Sequence, residues 1–299
     1  MSSPGSTIPF CQGPQPFVRA PSFAIPKGAC DTHAHVIGGD RFPMVSNRSY
    51  TPPAAPEAAY LGMLDALETD RGVVIQVSVY GADNSCMVET LRAHPERLRG
   101  VAVVAPDVGD AELEELAAAG VRGVRINALF GGGVAIGELE RLAARIAPLG
   151  WHVQLLIDAR TLPELAPAIE RLPVEIVFDH MGHIPVEAGT GHPGFRRLVG
   201  LLREGRAWVK LSGAYRISAA GAPFHDTTPF ARALVEAAPE RCVWGSDWPH
   251  VAVSGPMFNT ADLLDLLEVW VPEESVRRDI LVTNPARLYG FPDVAGGAA

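Results

Sequence analysis

Short apolar runs alternate along this chain with longer segments in which apolar residues recur every three or four positions. A short apolar run is typical of a buried strand, and the longer spacing is typical of a helix with one buried face. Strands are predicted at residues 29–36, 73–79, 100–105, 121–127, 151–157, 175–180, 207–211 and 241–247. Helices are predicted near 57–68, 87–93, 111–119, 134–148, 162–171, 195–203, 229–238, 260–270 and 274–280. This alternation predicts parallel strands joined by crossover helices.

The fold class predicted from this pattern is α/β, as a distorted (β/α)8 TIM barrel. Eight strand and helix pairs within 299 residues fit one barrel domain at residues 29–293. A doubly wound open sheet is the alternative, but no GxGxxG fingerprint follows the first strand. Residues 1–28 are rich in Pro, Ser and Gly and predict an irregular N-terminal arm.

Composition narrows the class of partner. The net charge of −9 argues against nucleic-acid binding, and no apolar run is long enough to cross a membrane. The four cysteines show no CxxC spacing, and residues 1–15 lack the pattern of a secretory signal. We therefore expect a cytoplasmic protein with a small-molecule partner, either a monomer or a small homo-oligomer.

Polar residues end several of the predicted strands. His33 and His35 are two residues apart, so their side chains leave the strand on the same face, ~7 Å apart along it. Such a pair suits metal binding or the polarisation of one oxygen atom. In a barrel all strand ends share one catalytic rim. That rim would gather His33, His35, Ser78, Tyr80, Arg125, Asn127, His180, Ser212 and Asp247.

Four segments together resemble the amidohydrolase superfamily. They are residues 31–35 (DTHAH), 178–182 (FDHMG), 245–250 (GSDWPH) and 284–291 (NPARLYGF). Within it the chain is similar to the TIM-barrel branch that contains 2-pyrone-4,6-dicarboxylate lactonase. Tyr50, the segment 78–84, Arg125 and residues 215–216 add to that likeness. The resemblance covers residues 30–291 and implies a hydrolase that acts on ester bonds.

The resemblance also bears on metals. Binuclear members of the superfamily carry a bridging Lys or carboxylate on the fourth strand and a His near the end of the fifth. Here the fourth strand offers Arg125 and Asn127, and His152 lies at the opposite end of the fifth. A guanidinium facing the site would repel a second cation. No cofactor is expected to be required; the alternative is one Zn or Mn ion bound by His33, His35 and Asp247.

The resemblance implies the roles of the site residues. Asp247 would activate water, and three histidines, His33, His35 and His180, would polarise the ring carbonyl of a carboxylated lactone. Substrate-binding candidates are Arg125, Arg216, Tyr50, Ser78, Tyr80, Asn84, His183 and His250. Phe130 and His183 stand where the lactonase is expected to have basic residues, so a related acidic lactone is an alternative to the pyrone dicarboxylate. A single-metal lactonase, a decarboxylase and a non-catalytic ligand-binding barrel also stay open.

Overall fold

A computed structural model describes residues 8–131, 134–253 and 255–293, and it contains one parallel eight-stranded sheet. Each strand pairs with the next, from β1 to β8. The strands are β1 Cys30–Ala34, β2 Arg71–Ile75, β3 Leu98–Ala102, β4 Val121–Asn127, β5 His152–Leu156, β6 Ile176–Phe178, β7 Ala207–Leu211 and β8 Cys242–Trp244. The ring closes beyond β8, where Asp247 N donates to His33 O and His35 N donates to Trp248 O, both at 2.7 Å. The predicted (β/α)8 barrel is confirmed.

Helices follow the strands in sequence and surround the barrel. They are α1 Glu57–Ala66, α2 Ser85–Ala93, α3 Asp110–Ala118, α4 Leu139–Ile146, α5 Leu162–Ile169, α6 Pro193–Arg203, α7 Ala214–Ile217, α8 Thr228–Ala237, α9 Thr260–Trp270, α10 Glu274–Arg278 and α11 Asn284–Tyr289. The short α7 was not predicted, and the residue before it, Gly213, has a left-handed φ of 61°. A Cβ at Gly213 would lie 2.7 Å from Nδ1 of His180, so only glycine fits against that ring.

Several strands end earlier than the sequence predicts, among them β2 and β8. β2 stops at Ile75 because the Gln76 side chain donates to the carbonyls of Gly81 and Asp83, and residues 78–80 form a 3₁₀ turn. β8 stops at Trp244 because Gly245 crosses close to His33, where a Cβ would come within 2.7 Å of the His33 Cβ. In both places contacts distant in sequence end an apolar run that would otherwise continue as a strand.

Residues 8–28 contain no strand or helix, and residues 1–7 of the predicted arm lie outside the described part of the chain. Phe10 forms a single β-bridge with Thr51, and Arg19 donates to the carboxylates of Asp262 and Asp265 on α9. This segment therefore lies against the helix that follows β8. Among the described residues, no helix is long and apolar enough to span a bilayer.

Candidate active site

Asp247 lies at the centre of the site and is fully buried. Its Oδ2 accepts hydrogen bonds from the Tyr215 hydroxyl and from Nε of Arg216, both at 2.6 Å. Its Oδ1 has no hydrogen-bond partner among the described residues. Burial would raise the pKa of this carboxyl group, but Arg216, His180 and His33 outweigh burial and hold it well below its ordinary value. Asp247 is therefore an anion with one oxygen available to react.

Three histidine side chains surround this carboxylate. Nε2 of His33 and of His35 lie 3.6 and 3.8 Å from its Oδ1, and Nε2 of His180 lies 3.7 Å from its Oδ2. The His33 ring centroid is 5.1 Å from that of His35 and 4.7 Å from that of His180. Burial lowers the pKa of all three rings, to about 3 for His35. The rings are therefore neutral at pH 7, and the proton position in each ring decides its role.

The proton position in His35 follows from its neighbour on β2. Nδ1 of His35 lies 2.8 Å from the carbonyl oxygen of Ile75, which can only accept a hydrogen bond. Nδ1 therefore carries the proton, and Nε2 presents a lone pair to the site. With this tautomer His35 Nε2 can accept a proton or bind a cation. The expected role of His35 in polarising the substrate carbonyl stays a prediction.

Arg125 and Asp179 form a second buried ion pair behind the histidines. Asp179 Oδ2 accepts from Nε and Nη2 of Arg125 at 3.2 and 3.1 Å, and from Nε2 of Gln154 at 3.1 Å. Burial raises the pKa of Asp179, but His33, Arg125 and Lys210 outweigh burial and hold it well below its ordinary value. Arg125 is thus oriented by an internal carboxylate. Its Nη1 has no hydrogen-bond partner among the described residues.

Lys210 is a site residue that sequence reasoning missed. It lies on β7 and is fully buried, and its Nζ donates to the carbonyl of Thr32 at 2.7 Å and to Oε1 of Gln154 at 2.8 Å. Nζ also lies 3.3 Å from Nδ1 of His33. Burial lowers the pKa of this amine to about 8, with Asp179 opposing the shift. A lone charged residue inside the apolar run 207–211 was the signal that could have revealed it.

Two cavities open at the carboxyl ends of the strands. The inner cavity has a volume of about 10 Å³, and the outer one about 660 Å³. Phe130 and Arg216 line both cavities, and the outer one is walled by aromatic and small apolar side chains together with His183 and Ser218. The inner cavity is lined by His35, Tyr50, Ser78, Arg125, Asn127, Phe130, Leu156, His180, Arg216, Asp247 and Val251. The outer cavity is large enough for a small ligand, and it shares Phe130 and Arg216 with the inner cavity, which Asp247 lines.

The candidate substrate-binding residues divide into two groups. Tyr50 and Ser78 share a hydroxyl–hydroxyl hydrogen bond of 2.9 Å at the inner cavity, and His183 lines the outer cavity. The other three candidates line neither cavity, and their side chains bond to the protein itself. Tyr80 accepts from Gly38 N, Asn84 bonds to both backbone groups of Val103, and His250 Nε2 lies 2.9 Å from the Thr260 hydroxyl. These bonds support the loops around the site, and the substrate contact expected of the three residues stays a prediction.

The donor atoms for a metal ion are close together. His33, His35 and Asp247 each offer one atom within 4.8 Å of the others, and His33, Asp179 and His180 form a second such group. Two of these atoms, His33 Nε2 and Asp247 Oδ1, are buried without hydrogen-bond partners among the described residues. Imidazole and carboxylate donors suit zinc or manganese. The residues therefore fit one divalent ion, and the geometry alone does not make the ion a requirement.

A parallel eight-stranded barrel whose rim joins a buried carboxylate to three histidines is the architecture of a TIM-barrel enzyme. A sequence profile described as amidohydrolase matches residues 30–291, nearly the whole barrel. The chain belongs to the amidohydrolase family. The resemblance seen in the four sequence segments is confirmed, as is the prediction of a hydrolase of this family.

Individual relatives match over most of their length. The chain is 40% identical over 289 residues to a 4-sulfomuconolactone hydrolase of Rhizobium radiobacter, covering 95% of this chain and 97% of that protein. It is 39% identical over 281 residues to a 2-pyrone-4,6-dicarboxylate hydrolase of Comamonas testosteroni, covering 90% and 92%. A probable 2-pyrone-4,6-dicarboxylic acid hydrolase of Acinetobacter baumannii, crystallised with citric acid, superposes with a TM-score of 0.79 at 27% identity, covering 88% and 100%.

A more distant structure of the same fold contains a metal. An amidohydrolase of Burkholderia multivorans with bound zinc superposes with a TM-score of 0.67 at 17% identity, covering 88% of this chain and 99% of that one. At this identity the likeness concerns the fold. The donor atoms above are what make one divalent ion a hypothesis for this chain, to be tested directly.

Proposed function

We propose that this chain hydrolyses the ring ester of a small carboxylated lactone, with Asp247 as the base that activates water and with no metal ion required. The observation that carries the proposal is the asymmetry of Asp247. Tyr215 and Arg216 fix its Oδ2, while its Oδ1, beside the histidines, has no hydrogen-bond partner in the described part of the chain. Lactone hydrolysis is the activity named for the relatives from Rhizobium radiobacter and Comamonas testosteroni.

The reaction would proceed in two proton transfers. Oδ1 of Asp247 takes a proton from water, and the water oxygen forms a bond to the ring carbonyl carbon. The bond between that carbon and the ring oxygen then breaks, and Asp247 returns the proton to the departing ring oxygen. The products are a carboxylic acid and a hydroxyl group, and the acid then releases its proton to solvent as a carboxylate, so atoms and charge balance. His33 and His180 would donate to the carbonyl oxygen as it becomes an oxyanion.

Arg216 would connect substrate binding to the basicity of Asp247. Its Nε bonds to Asp247 and its Nη2 to the carbonyl of Val251, while its Nη1 has no partner among the described residues. A substrate carboxylate bound at Nη1 would share the positive charge that now stabilises Asp247. Asp247 would then become a stronger base when substrate is present. Arg125 lines the inner cavity with Arg216, and its Nη1, which has no hydrogen-bond partner among the described residues, would offer a second contact for an anion.

The two guanidinium groups also bear on the metal. Arg125 and Arg216 line the same small cavity as Asp247, and they disfavour a divalent cation there while they favour an anionic substrate. The alternative remains a site in which one Zn or Mn ion is bound by His33, His35 and Asp247. Such an ion would supply Lewis-acid polarisation of the carbonyl.

A screen of acidic lactones tests the proposal. Purified protein would be incubated with pyrone carboxylates, muconolactone-type carboxylates and matched lactones without an acid group, and ring opening followed by ultraviolet absorbance and by acid release. We expect hydrolysis of at least one carboxylated lactone and a kcat/KM at least tenfold lower for its acid-free analogue, because the analogue loses the arginine contacts. No ring opening by metal-free or metal-supplemented protein would refute the proposal.

A further inference from the structure

The side chain of Lys210 extends from β7 into the barrel, where its Nζ contacts residues of β1 and β5. Its ammonium group has three hydrogens and no lone pair, so every polar neighbour it bonds must be an acceptor. Three acceptors lie in range: Thr32 O at 2.7 Å, Gln154 Oε1 at 2.8 Å and His33 Nδ1 at 3.3 Å. These three contacts use all three hydrogens of the ammonium group. The third contact requires a lone pair on Nδ1 of His33.

Asp179 competes for the same ring nitrogen. Its Oδ1 lies 3.2 Å from Nδ1 of His33, and a bond between them would require the proton on Nδ1. Oδ1 of Asp179 nevertheless has no hydrogen-bond partner among the described residues, while its Oδ2 is bonded to Arg125 and Gln154. The contact from Lys210 meets hydrogen-bond geometry, and the contact from Asp179 does not. The arrangement therefore favours Lys210 as the partner of Nδ1.

We propose that Lys210 is a positioning residue that holds His33 in the tautomer with its proton on Nε2. In that form His33 Nε2, which lies 3.6 Å from Asp247 Oδ1, is a hydrogen-bond donor toward the place where the reacting carbonyl would bind. His35, held by Ile75, has the opposite tautomer and presents a lone pair. The two histidines of one strand thus have different roles, one as donor and one as acceptor.

The same tautomer limits metal binding. The metal site of His33, His35 and Asp247 needs the lone pair of His33 Nε2, which the ring offers only when its proton is on Nδ1, the nitrogen 3.2 Å from Asp179 Oδ1. Lys210 therefore stabilises the form of His33 in which Nε2 is a hydrogen-bond donor. Asp179 would stabilise the other form, in which Nε2 can bind a metal. The tautomer assignment concerns the free protein. Its use in catalysis rests on the proposed lactone hydrolysis.

Nitrogen NMR of histidine-labelled protein tests the tautomer without substrate. Long-range proton–nitrogen correlations separate protonated from unprotonated ring nitrogens, and a His33→Gln variant assigns the His33 signals. We expect an unprotonated Nδ1 and a protonated Nε2 in His33, and the reverse in His35. A protonated Nδ1 in His33 of the wild-type protein would overturn the proposal, whether or not any variant folds.

Variants at Lys210 then test the cause. Lys210→Met is expected to move His33 toward the form with its proton on Nδ1 and to leave His35 unchanged. Tyr289→Phe is the matched control, because its ring lies 5.9 Å from Lys210 Nζ and its hydroxyl has no partner among the described residues. We expect this control to leave the His33 tautomer as in wild type. An unchanged tautomer in folded Lys210→Met would refute the assigned role.

Kinetics separate this inference from the proposed function. With a lactone found by the screen, Lys210→Met should lower kcat on the order of 10- to 100-fold while KM changes less than about threefold. A fall in kcat/KM caused by KM alone would contradict a role in polarising the carbonyl. If no lactone is hydrolysed, the proposed function fails, and the NMR result still decides the tautomer.

Discussion

Replacing Asp247 by Asn tests the central chemical assignment. The amide has nearly the size of the carboxylate and keeps an oxygen that can accept from Tyr215 or Arg216, but it cannot take a proton from water. General base catalysis contributes about 10²- to 10⁴-fold to rate. At about 1.4 kcal/mol per factor of ten, that is about 3 to 5 kcal/mol of transition-state stabilisation. We expect Asp247→Asn to lose at least a hundredfold in kcat/KM.

The same substitution has a structural cost that the assay must separate from catalysis. Arg216 has a side chain only 8% exposed, and it would lose the charge of its partner. Breaking one side of a buried ion pair costs about 3 kcal/mol or more in the free energy of unfolding. Activity should therefore be measured well below the melting temperature, with circular dichroism and thermal unfolding recorded for each variant.

Two matched variants identify the source of any loss. Tyr215→Phe removes one hydrogen bond to Asp247 and keeps the carboxylate, so we expect kcat/KM within about tenfold of wild type. Asp65→Asn removes a carboxylate from a surface pair with Arg97, where its side chain is 66% exposed, and should change nothing measurable. Folded Asp247→Asn with more than a tenth of wild-type kcat/KM would refute the base assignment. Equal losses in Asp247→Asn and Tyr215→Phe would assign the effect to structure.

Three other expectations concern binding, metal and pH. Arg216→Lys should raise KM for a carboxylated lactone at least tenfold, because a single ammonium group cannot bond Asp247 and substrate together; an unchanged KM in steady-state kinetics would remove Arg216 from the substrate site. Dialysis against a chelator should leave kcat within twofold, and loss of activity that Zn or Mn restores, with stoichiometric metal by elemental analysis, would support the single-metal alternative. Burial lowers the pKa of His152 to about 3, so the unfolded state binds more protons below pH 6.5 and stability falls as pH falls. The fall from this group is about 3 kcal/mol between pH 7 and pH 4, and urea unfolding of His152→Gln should show a pH dependence weaker by that amount.

The fold was largely predictable because each strand of a parallel barrel is buried on both faces and appears as an apolar run. The predicted helix at 260–270 agrees with α9, where Asn259 and Asp262 form a capping box at its start. The ends of β2 and β8 were predicted too late, because the Gln76 side chain and the crossing at Gly245 stop those strands. These contacts involve the folded chain around each strand end, and the pattern of apolar residues within one strand does not reveal them.

The sequence indicated Asp247 and the three histidines around it, but it missed Lys210 and did not give each histidine its role. His33 and His35 have the same residue type, the same strand and the same face, so periodicity gives them one role. The groups that contact Nδ1 of the two rings differ: β2 supplies a carbonyl acceptor to His35, and β7 supplies an ammonium donor to His33. Because a neutral imidazole has one donor and one acceptor nitrogen, these neighbours decide which face of each ring reaches the cavity. The chemistry of the pair is therefore set by groups on β2 and β7, about 40 and 180 residues away in sequence. The feature of the sequence that indicates the β7 contact is a buried lysine in an apolar run.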